Sequence, residues 1–196
     1  MRLGILGGTF DPVHFGHIKT AEYCKEKLNL NLILFIPAGC PPLKKAFADY
    51  IHRVEMVKLA IDEYKYFKVS EFEKKKEENH PTYTYDTLRT IKKLYPKAEI
   101  IFLVGTDNVL EIKRWYKYKD LFKFAKFVVV SRDVSSRQSW RNLDYYNKLH
   151  FINMPLINIS SHTIRHNIIN NISIDGFLPK KVEKYIKKNQ IYLKET

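Results

Sequence analysis

Residues 2–17 read RLGILGGTFDPVHFGH, and this stretch decides the fold. Its apolar start ends in Gly7 and Gly8, which is the pattern of a buried strand that enters a tight turn. From Gly16 onward, apolar residues recur at helical spacing and predict an amphipathic helix. Residues 32–36 are then apolar at every position, as central parallel strands are. The chain therefore opens with a βαβ unit.

The same alternation of strand and helix patterns continues along the rest of the chain. Further strands are predicted over residues 67–69, 99–104, 127–130 and 157–159. Further helices are predicted over residues 51–61, 88–94, 164–170 and 182–188. No internal repeat and no linker rich in Pro, Gly or Ser separates these elements. We expect a single α/β domain over residues 1–196, with a doubly wound, Rossmann-like parallel sheet and a helical C-terminal extension over residues 166–196.

The composition fits one globular domain with an anionic partner. The chain has 196 residues, of which 45% are hydrophobic, and this is enough to bury a core. Its net charge of +13, from 34 Lys and Arg against 21 Asp and Glu, suits a partner with many negative charges. A basic nucleic-acid-binding domain is the alternative from another functional class. However, the lysines are scattered, and the sequence lacks a recognition-helix motif, so we expect no nucleic-acid partner.

The cysteine content and the apolar segments bear on the compartment. Cys24 and Cys40 form neither a disulfide framework nor a paired metal motif, which fits a reducing compartment. The apolar segment at the N-terminus is too short for a secretion signal, and no apolar run is long enough to cross a bilayer. These features predict a cytoplasmic protein without a membrane partner.

The turn after the first strand has the residue types of a phosphate site. Its glycine pair lets a ligand approach the backbone, and N–H groups at the start of the following helix bind anions. His14 and His17 are three residues apart at that start, so they share one helix face and can both donate to a phosphate. Two histidines are also half of a metal site. No Cys or acidic cluster nearby completes such a site, so no protein-held metal is predicted.

Residues 7–17, GGTFDPVHFGH, resemble the signature of the bacterial-type nicotinate mononucleotide adenylyltransferases, and residues 14–17 match the HxGH motif of the wider nucleotidyltransferase superfamily. The resemblance implies transfer of the adenylyl group of ATP to the 5′-phosphate of nicotinate mononucleotide. The products would be nicotinate adenine dinucleotide (deamido-NAD) and pyrophosphate, as a step of NAD biosynthesis. The resemblance also implies that His14 and His17 contact the ATP phosphates and stabilise the pentavalent transition state at the α-phosphorus. The turn residues that it assigns to ATP are Gly7, Gly8, Thr9 and Phe10, with Gly8 and Thr9 also assigned to the mononucleotide.

Two further basic residues are candidate phosphate contacts. Residues 41–44, PPLK, resemble a proline-proline-histidine-basic segment of the family, with Leu43 in place of the histidine. Lys44 is kept, and as a point charge it is expected to meet a phosphate during catalysis. Arg132, which closes an apolar strand, is a weaker candidate for a phosphate of the mononucleotide.

Two segments resemble the nicotinate-binding part of the family. Residues 81–88, PTYTYDTL, resemble the segment that opens a helix and holds the nicotinate carboxylate through backbone amides, which assigns Tyr83 and Thr84 to the mononucleotide. Trp115 resembles the family tryptophan that stacks on the pyridine ring. Without the resemblance, Thr84 is a helix cap, and Trp115 is as well explained as a core aromatic.

The remaining candidates for ATP binding come from two later segments. Residues 105–107, GTD, resemble the glycine-x-aspartate of the family, whose aspartate lies near nucleotide ribose hydroxyls. Residues 159–165, ISSHTIR, resemble the family motif ISSTxIR, with His162 where the family has threonine. Serine hydroxyls, backbone N–H groups and an arginine fork suit phosphate. The residues that these segments assign to ATP are Gly105, Asp107, Ser160, Ser161 and Arg165, with Arg165 also assigned a catalytic role.

The predicted reaction needs little from the protein beyond positioning and charge neutralisation, because a phosphate monoester is already an anionic nucleophile. Mg²⁺ is expected to accompany ATP, held by phosphates and waters. Two neighbouring activities stay open, namely nicotinamide mononucleotide as the main substrate and adenylyl transfer to phosphopantetheine. A cytidylyltransferase fits less well, because its usual arginine-rich late motif differs from residues 159–165. The oligomeric state stays open, a homo-oligomer included.

Overall fold

The computed structural model describes residues 1–41, 45–74, 81–131, 137–155 and 157–193. Six strands lie within these ranges: β1 (Arg2–Gly8), β2 (Leu32–Pro37), β3 (Phe67–Val69), β4 (Glu99–Gly105), β5 (Lys126–Ser131) and β6 (Leu149–Asn153). The α-helices are α1 (Phe15–Lys27), α2 (Tyr50–Ile61), α3 (Thr84–Leu94), α4 (Thr106–Val109), α5 (Tyr118–Leu121), α6 (Arg137–Trp140), α7 (Ser161–Ile169) and α8 (Lys180–Lys188). Short 3-10 helices cover Leu110–Arg114 and Tyr146–Lys148.

The strands form one parallel sheet in the order β3-β2-β1-β4-β5-β6. The central strand β1 pairs on both sides, so that Leu6 lies opposite Phe35 of β2 and opposite Leu103 of β4. The strand order reverses between β1 and β4. In doubly wound sheets, ligands bind outside the carboxyl ends of the strands at this reversal point. The predicted doubly wound α/β fold is confirmed.

Both faces of the sheet are apolar, and each is covered by helices. On β1, Leu3 and Ile5 point into one hydrophobic cluster, and Leu6 points into the other. The Leu6 cluster includes buried residues of α1, α2 and α8, namely Ile18, Val57 and Val182. The opposite cluster includes Leu88, Val109 and Leu121 of the elements between α3 and α5. α8 also packs on α2, which brings the end of the described chain to the side of the sheet that carries α1.

The predicted strand over residues 157–159 is wrong, and the last strand is β6 instead. β6 lies at the edge of the sheet, where it pairs only with β5 among the described strands. An edge strand needs fewer apolar residues, because it is less covered than a central strand, and His150 interrupts its apolar pattern. Ile157 and Ile159 are half-buried and pack against the core cluster from a segment without strand pairing.

Within the described ranges, no helix combines the length and the apolar character that crossing a bilayer requires.

Candidate active site

The turn after β1 is folded around the ring of Phe10. Phe10 has φ 51°, a left-handed conformation that is uncommon outside glycine, and its side chain is 2% exposed. A Cβ on Gly8 would lie 3.3 Å from this ring, so glycine lets the strand end pass over it. The ring packs 5.8 Å from Phe35 and, edge to face, 5.0 Å from the imidazole of His17. The ring of Phe10 therefore supports both the turn at Gly8 and the imidazole of His17.

The rings of the two histidines are in contact at the start of α1. His14 is the N-cap residue, with φ −149° and ψ 170°, and its backbone N–H donates to Nδ1 of His17 over 3.3 Å. The ring centroids are 3.8 Å apart and the rings are tilted by 30°. Because Nδ1 of His17 accepts a bond, a neutral His17 carries its ring proton on Nε2. The arrangement therefore places two imidazoles, His14 buried at 5% exposure and His17 half-buried, at the positive end of a helix, where phosphate is favoured.

A buried arginine clamps the turn from the side of α2. Arg53 is 1% exposed, and its Nε donates to the carbonyl of Ala48 over 3.0 Å. Its Nη1 donates to the carbonyls of Thr9 and Ala38, both over 2.8 Å. Burial lowers the pKa of the guanidinium from its ordinary value, and the charge of Asp11 opposes that shift. Sequence reasoning did not assign Arg53; the available signal was a charged residue inside the apolar stripe of a predicted helix.

The late segment that resembles ISSTxIR meets the same turn. Ser161 Oγ donates to the carbonyl of Pro12 over 2.9 Å, and Arg165 Nη1 donates to the carbonyl of Asp11 over 2.6 Å. Ser160 caps α7 and accepts the backbone N–H of Thr163 over 3.1 Å. Thus Ser161 and Arg165 touch the backbone immediately before His14, and Arg165 keeps further N–H donors in its fork.

The guanidinium of Arg165 also lies against an aromatic ring, 4.1 Å from the ring centroid of Phe47. His162, the departure from the family motif, is exposed on the first turn of α7. Its imidazole therefore does not displace the contacts that Ser161 and Arg165 make.

Gly105 and Asp107 lie at the carboxyl end of β4, next to the turn after β1. Gly105 is both the last residue of β4 and the N-cap of α4. A Cβ on Gly105 would lie 2.5 Å from Oδ1 of Asp107, so a larger residue there would have to displace that carboxylate. Both residues are exposed, on the strand whose Leu103 pairs with Leu6. The structure thus brings this pair to the same sheet edge as the histidines.

Aromatic residues line the opposite face of the sheet beyond Gly7. Trp115 is half-buried, and its ring meets Phe102 of β4 edge to face at 6.0 Å. The ring of Phe102 in turn lies 3.7 Å from where a Cβ on Gly7 would be. Phe102 thus lies between Trp115 and the glycine turn. Trp115 also retains exposed surface, whereas a purely core aromatic would be fully buried.

Tyr83 and Thr84 begin α3. Tyr83 is the N-cap residue and Thr84 is the first helical residue, so a cap role for Thr84 itself is wrong. The ring of Tyr83 lies 4.8 Å from that of Tyr116, which follows Trp115 in the chain. The start of α3 and the segment of Trp115 are therefore in contact. Sequence reasoning did not single out Tyr116.

Three residues named from the sequence, Leu43, Lys44 and Arg132, lie outside the described ranges. Across the part of the chain that is described, no group of three or more His, Cys, Asp or Glu residues is arranged to hold a metal ion.

A parallel doubly wound sheet with an imidazole pair at its first turn defines a nucleotide-binding α/β protein, and comparison with known proteins gives its family. Residues 5–167 match the family model described as "Cytidylyltransferase-like". A relative from Methylacidiphilum infernorum named "Probable nicotinate-nucleotide adenylyltransferase" is 40% identical over 98% of this chain and 92% of its own length. A relative of the same name from Thermoanaerobacter sp. is 38% identical over 100% of this chain and 96% of its own. The chain therefore belongs to the cytidylyltransferase-like family, and within it to the nicotinate-nucleotide adenylyltransferases.

Solved structures agree on the fold. The Plasmodium falciparum nicotinic acid mononucleotide adenylyltransferase complexed with NaAD superposes with a TM-score of 0.78. It is 22% identical in sequence, and the match covers 97% of each chain. The family resemblance drawn from residues 7–17 is confirmed.

Proposed function

We propose that this enzyme transfers the adenylyl group of ATP to the 5′-phosphate of nicotinate mononucleotide, and so makes nicotinate adenine dinucleotide and pyrophosphate for NAD biosynthesis. The observation that carries the proposal is the pair of imidazoles, 3.8 Å apart at the start of α1, beside the glycine turn at the reversal point of the sheet. The names of relatives at 38–40% identity support the same substrate.

The reaction is an in-line displacement at the α-phosphorus. A 5′-phosphate oxygen of the mononucleotide forms the new P–O bond, and the bond to the bridging oxygen of the β-phosphate breaks to release pyrophosphate. The attacking oxygen is already anionic, so no proton has to be removed. His14 and His17 would donate to phosphate oxygens as negative charge shifts towards the leaving group, which is where preorganised donors accelerate such a step.

The remaining candidates would hold the two substrates around that centre. The proposed ATP site consists of Gly7, Gly8, Thr9, Phe10, His14, His17, Gly105, Asp107, Ser160, Ser161 and Arg165. The proposed mononucleotide site consists of Gly8, Thr9, Lys44, Tyr83, Thr84, Trp115 and Arg132. The hydrogen bonds of Ser161 to Pro12 and of Arg165 to Asp11 support their assignment to ATP, because Pro12 and Asp11 belong to the turn after β1. We further propose that residues 1–196 act as one domain, with residues 166–196 as its helical extension.

Mg²⁺ would enter with ATP. The donors near the turn are imidazoles and backbone N–H groups, whereas Mg²⁺ prefers phosphate, carboxylate and water oxygens. The ion would therefore be held by the phosphates of ATP and by water. When bound, it would offset negative charge on the phosphates.

The preference for nicotinate over nicotinamide would come from the start of α3. The N–H groups of a helix start favour a negative group, and α3 has 11 residues, long enough for this effect. Trp115 and Tyr116 would supply the ring contact beside it. Nicotinamide mononucleotide is the second candidate, because it shares every contact except those of the carboxylate.

The proposed setting is the cytoplasm, where ATP and mononucleotides occur together. Cys24 and Cys40 are free thiols, as is usual in a reducing compartment.

A pyrophosphate-release assay with ATP and a panel of acceptors tests the proposal. The expected order of kcat/KM is nicotinate mononucleotide, then nicotinamide mononucleotide, with phosphopantetheine inactive. Equal kcat/KM for the two pyridine mononucleotides would contradict the acid preference. Release only with phosphopantetheine would contradict the proposed function as a whole.

A further inference from the structure

The last described segment of the chain contacts the turn after β1, which carries His14 and His17. Tyr192 lies four residues after the end of α8, is 8% exposed, and donates from Oη to Oδ1 of Asp11 over 2.6 Å. These two residues are 181 positions apart in the sequence. Tyr192 has φ 65°, a conformation that non-glycine residues adopt only when surrounding contacts hold it. The hydroxyl contact with Asp11 is one such contact.

Asp11 joins several elements at this point. Its Oδ1 also accepts the backbone N–H of Ala48 over 3.1 Å, and its Oδ2 accepts the backbone N–H of Phe47 over 2.6 Å. Its own carbonyl accepts Nη1 of Arg165 over 2.6 Å. Asp11 is 4% exposed and precedes His14 by only three residues. A shift of this carboxylate therefore moves the backbone that carries the first imidazole.

We propose that Tyr192 is a positioning residue for adenylyl transfer: its hydroxyl holds Asp11, and Asp11 sets the position of the imidazoles of His14 and His17. The hydroxyl of Tyr192 contacts Asp11, so Tyr192 acts through another residue. The inference rests on the proposed function for its effect on rate, but the contact itself does not depend on it.

The contact with Asp11 depends on the hydroxyl of Tyr192 and not only on the packing of its ring. Burial and the negative charge of Asp11 both raise the pKa of Tyr192, so the phenol stays protonated and remains a donor. The nearby guanidinium groups of Arg53 and Arg165 act in the opposite direction. A phenylalanine would fill the same volume but would leave one carboxylate oxygen without this donor.

The test compares two tyrosines of the same C-terminal segment. Tyr192→Phe removes the donor to Asp11, whereas Tyr185→Phe removes a hydroxyl that bonds Nδ1 of His52 on α2, over 2.9 Å. We expect Tyr192→Phe to lower kcat about tenfold with KM for ATP changed less than about twofold, because small displacements of catalytic groups cost rate more than binding. Tyr185→Phe should keep the kcat of the parent chain. A parent-like kcat in Tyr192→Phe would overturn the proposal.

A double-variant cycle identifies the route of the effect. If Tyr192 acts through Asp11, kcat of Tyr192→Phe combined with Asp11→Asn should equal that of Asp11→Asn alone. Factors that multiply would contradict the relay. Should Tyr192→Phe be only partly folded, the comparison is repeated in sucrose, which favours the compact state. A kcat deficit that disappears once the variant is fully folded would show a structural role only, and would also overturn the proposal.

Proton–nitrogen NMR of the substrate-free protein separates this inference from the proposed function. Tyr192→Phe should shift the imidazole signals of His14 and His17, and Tyr185→Phe should leave them in place. If the parent chain released no pyrophosphate, the proposed function would fail while these shifts could still show the coupling. Unchanged signals in Tyr192→Phe would refute the coupling whatever the activity.

Discussion

A Cβ on Gly16 would lie 2.8 Å from Nδ1 of His14, closer than such contacts occur in folded proteins. The imidazole of the N-cap residue thus lies directly over the second residue of α1, and only glycine leaves room for it. The carbonyl of Ile159 lies 3.6 Å from the same point, in ordinary van der Waals contact, so a Cβ there would have neighbours on two sides. This contact is the physical reason for the glycine between the two histidines of the turn.

Gly16→Ala should therefore displace the ring of His14. Alanine is the better helix former by about 1 kcal/mol, so the helix itself is not weakened. We expect kcat for pyrophosphate release to fall about a hundredfold, because misplacement by about 1 Å can cost this much. The thermal midpoint should change little. An alanine variant with the kcat of the parent chain would show that the position of His14 does not matter for the reaction.

His17→Ala should lower kcat far more than it raises KM for ATP. Loss of one preorganised donor to a developing charge costs about 3–4 kcal/mol, or about a hundredfold to a thousandfold in kcat. His166→Ala, an exposed histidine on α7, is the control and should match the parent chain. If the loss in His17→Ala were entirely in KM, His17 would bind ATP without stabilising the transition state.

Arg53→Met should destabilise the whole chain. It would leave the carbonyls of Thr9, Ala38 and Ala48 without their buried donor. Each unsatisfied buried group costs about 1–3 kcal/mol, so we expect a loss of about 3–5 kcal/mol in the free energy of unfolding.

The matched control for Arg53 is Arg89→Met. Arg89 forms an exposed ion pair with Asp86 over 3.1 Å, and such pairs contribute less than about 1 kcal/mol. Urea unfolding of both variants measures the difference. If both variants lost the same free energy of unfolding, the buried hydrogen bonds of Arg53 would stabilise the fold no more than an exposed ion pair does.

Trp115→Ala should act on the mononucleotide and not on ATP. Stacking of a base on an aromatic side chain contributes about 1–3 kcal/mol, so kcat/KM for nicotinate mononucleotide should fall about tenfold to a hundredfold. KM for ATP should change less than about twofold. The control is Trp140→Phe, since Trp140 is 4% exposed and stacks on Phe151 in the core. If Trp115→Ala instead raised KM for ATP, Trp115 would belong to the ATP site and not to the mononucleotide site.

The positive charge of the chain should not confer nucleic-acid binding. Filter binding with duplex and single-stranded DNA at two salt concentrations should show no saturable binding at physiological salt. Tight binding that weakens steeply with salt would indicate several phosphate contacts and revive the nucleic-acid alternative.

Local patterns along the chain predicted the central elements correctly. β1, the glycine turn and α1 follow from a short apolar run, two glycines and helical spacing, because these signals lie within one stretch of sequence. β6 was missed, since an edge strand carries a weak apolar pattern, and the apolar residues at 157–159 were mistaken for it. Those residues pack on the core without pairing.

The contacts that hold the turn could not be predicted in the same way. Arg53 lies within the apolar stripe of its helix, but the carbonyls to which it donates come from three other parts of the chain and are known only from the fold. Tyr192 is 181 residues from Asp11, and no local pattern relates them. The sequence thus indicated candidate phosphate-binding residues, whereas the residues that hold the turn in place depend on the tertiary structure.

The central claim is that the turn with His14 and His17 transfers an adenylyl group. The most direct measurement follows ATP radiolabelled at the α-phosphate, with nicotinate mononucleotide as acceptor. We predict that the label appears in nicotinate adenine dinucleotide, one equivalent for each pyrophosphate released, and that label at the γ-phosphate appears only in pyrophosphate. Label that stays in ATP, or that reaches only AMP, would contradict the account.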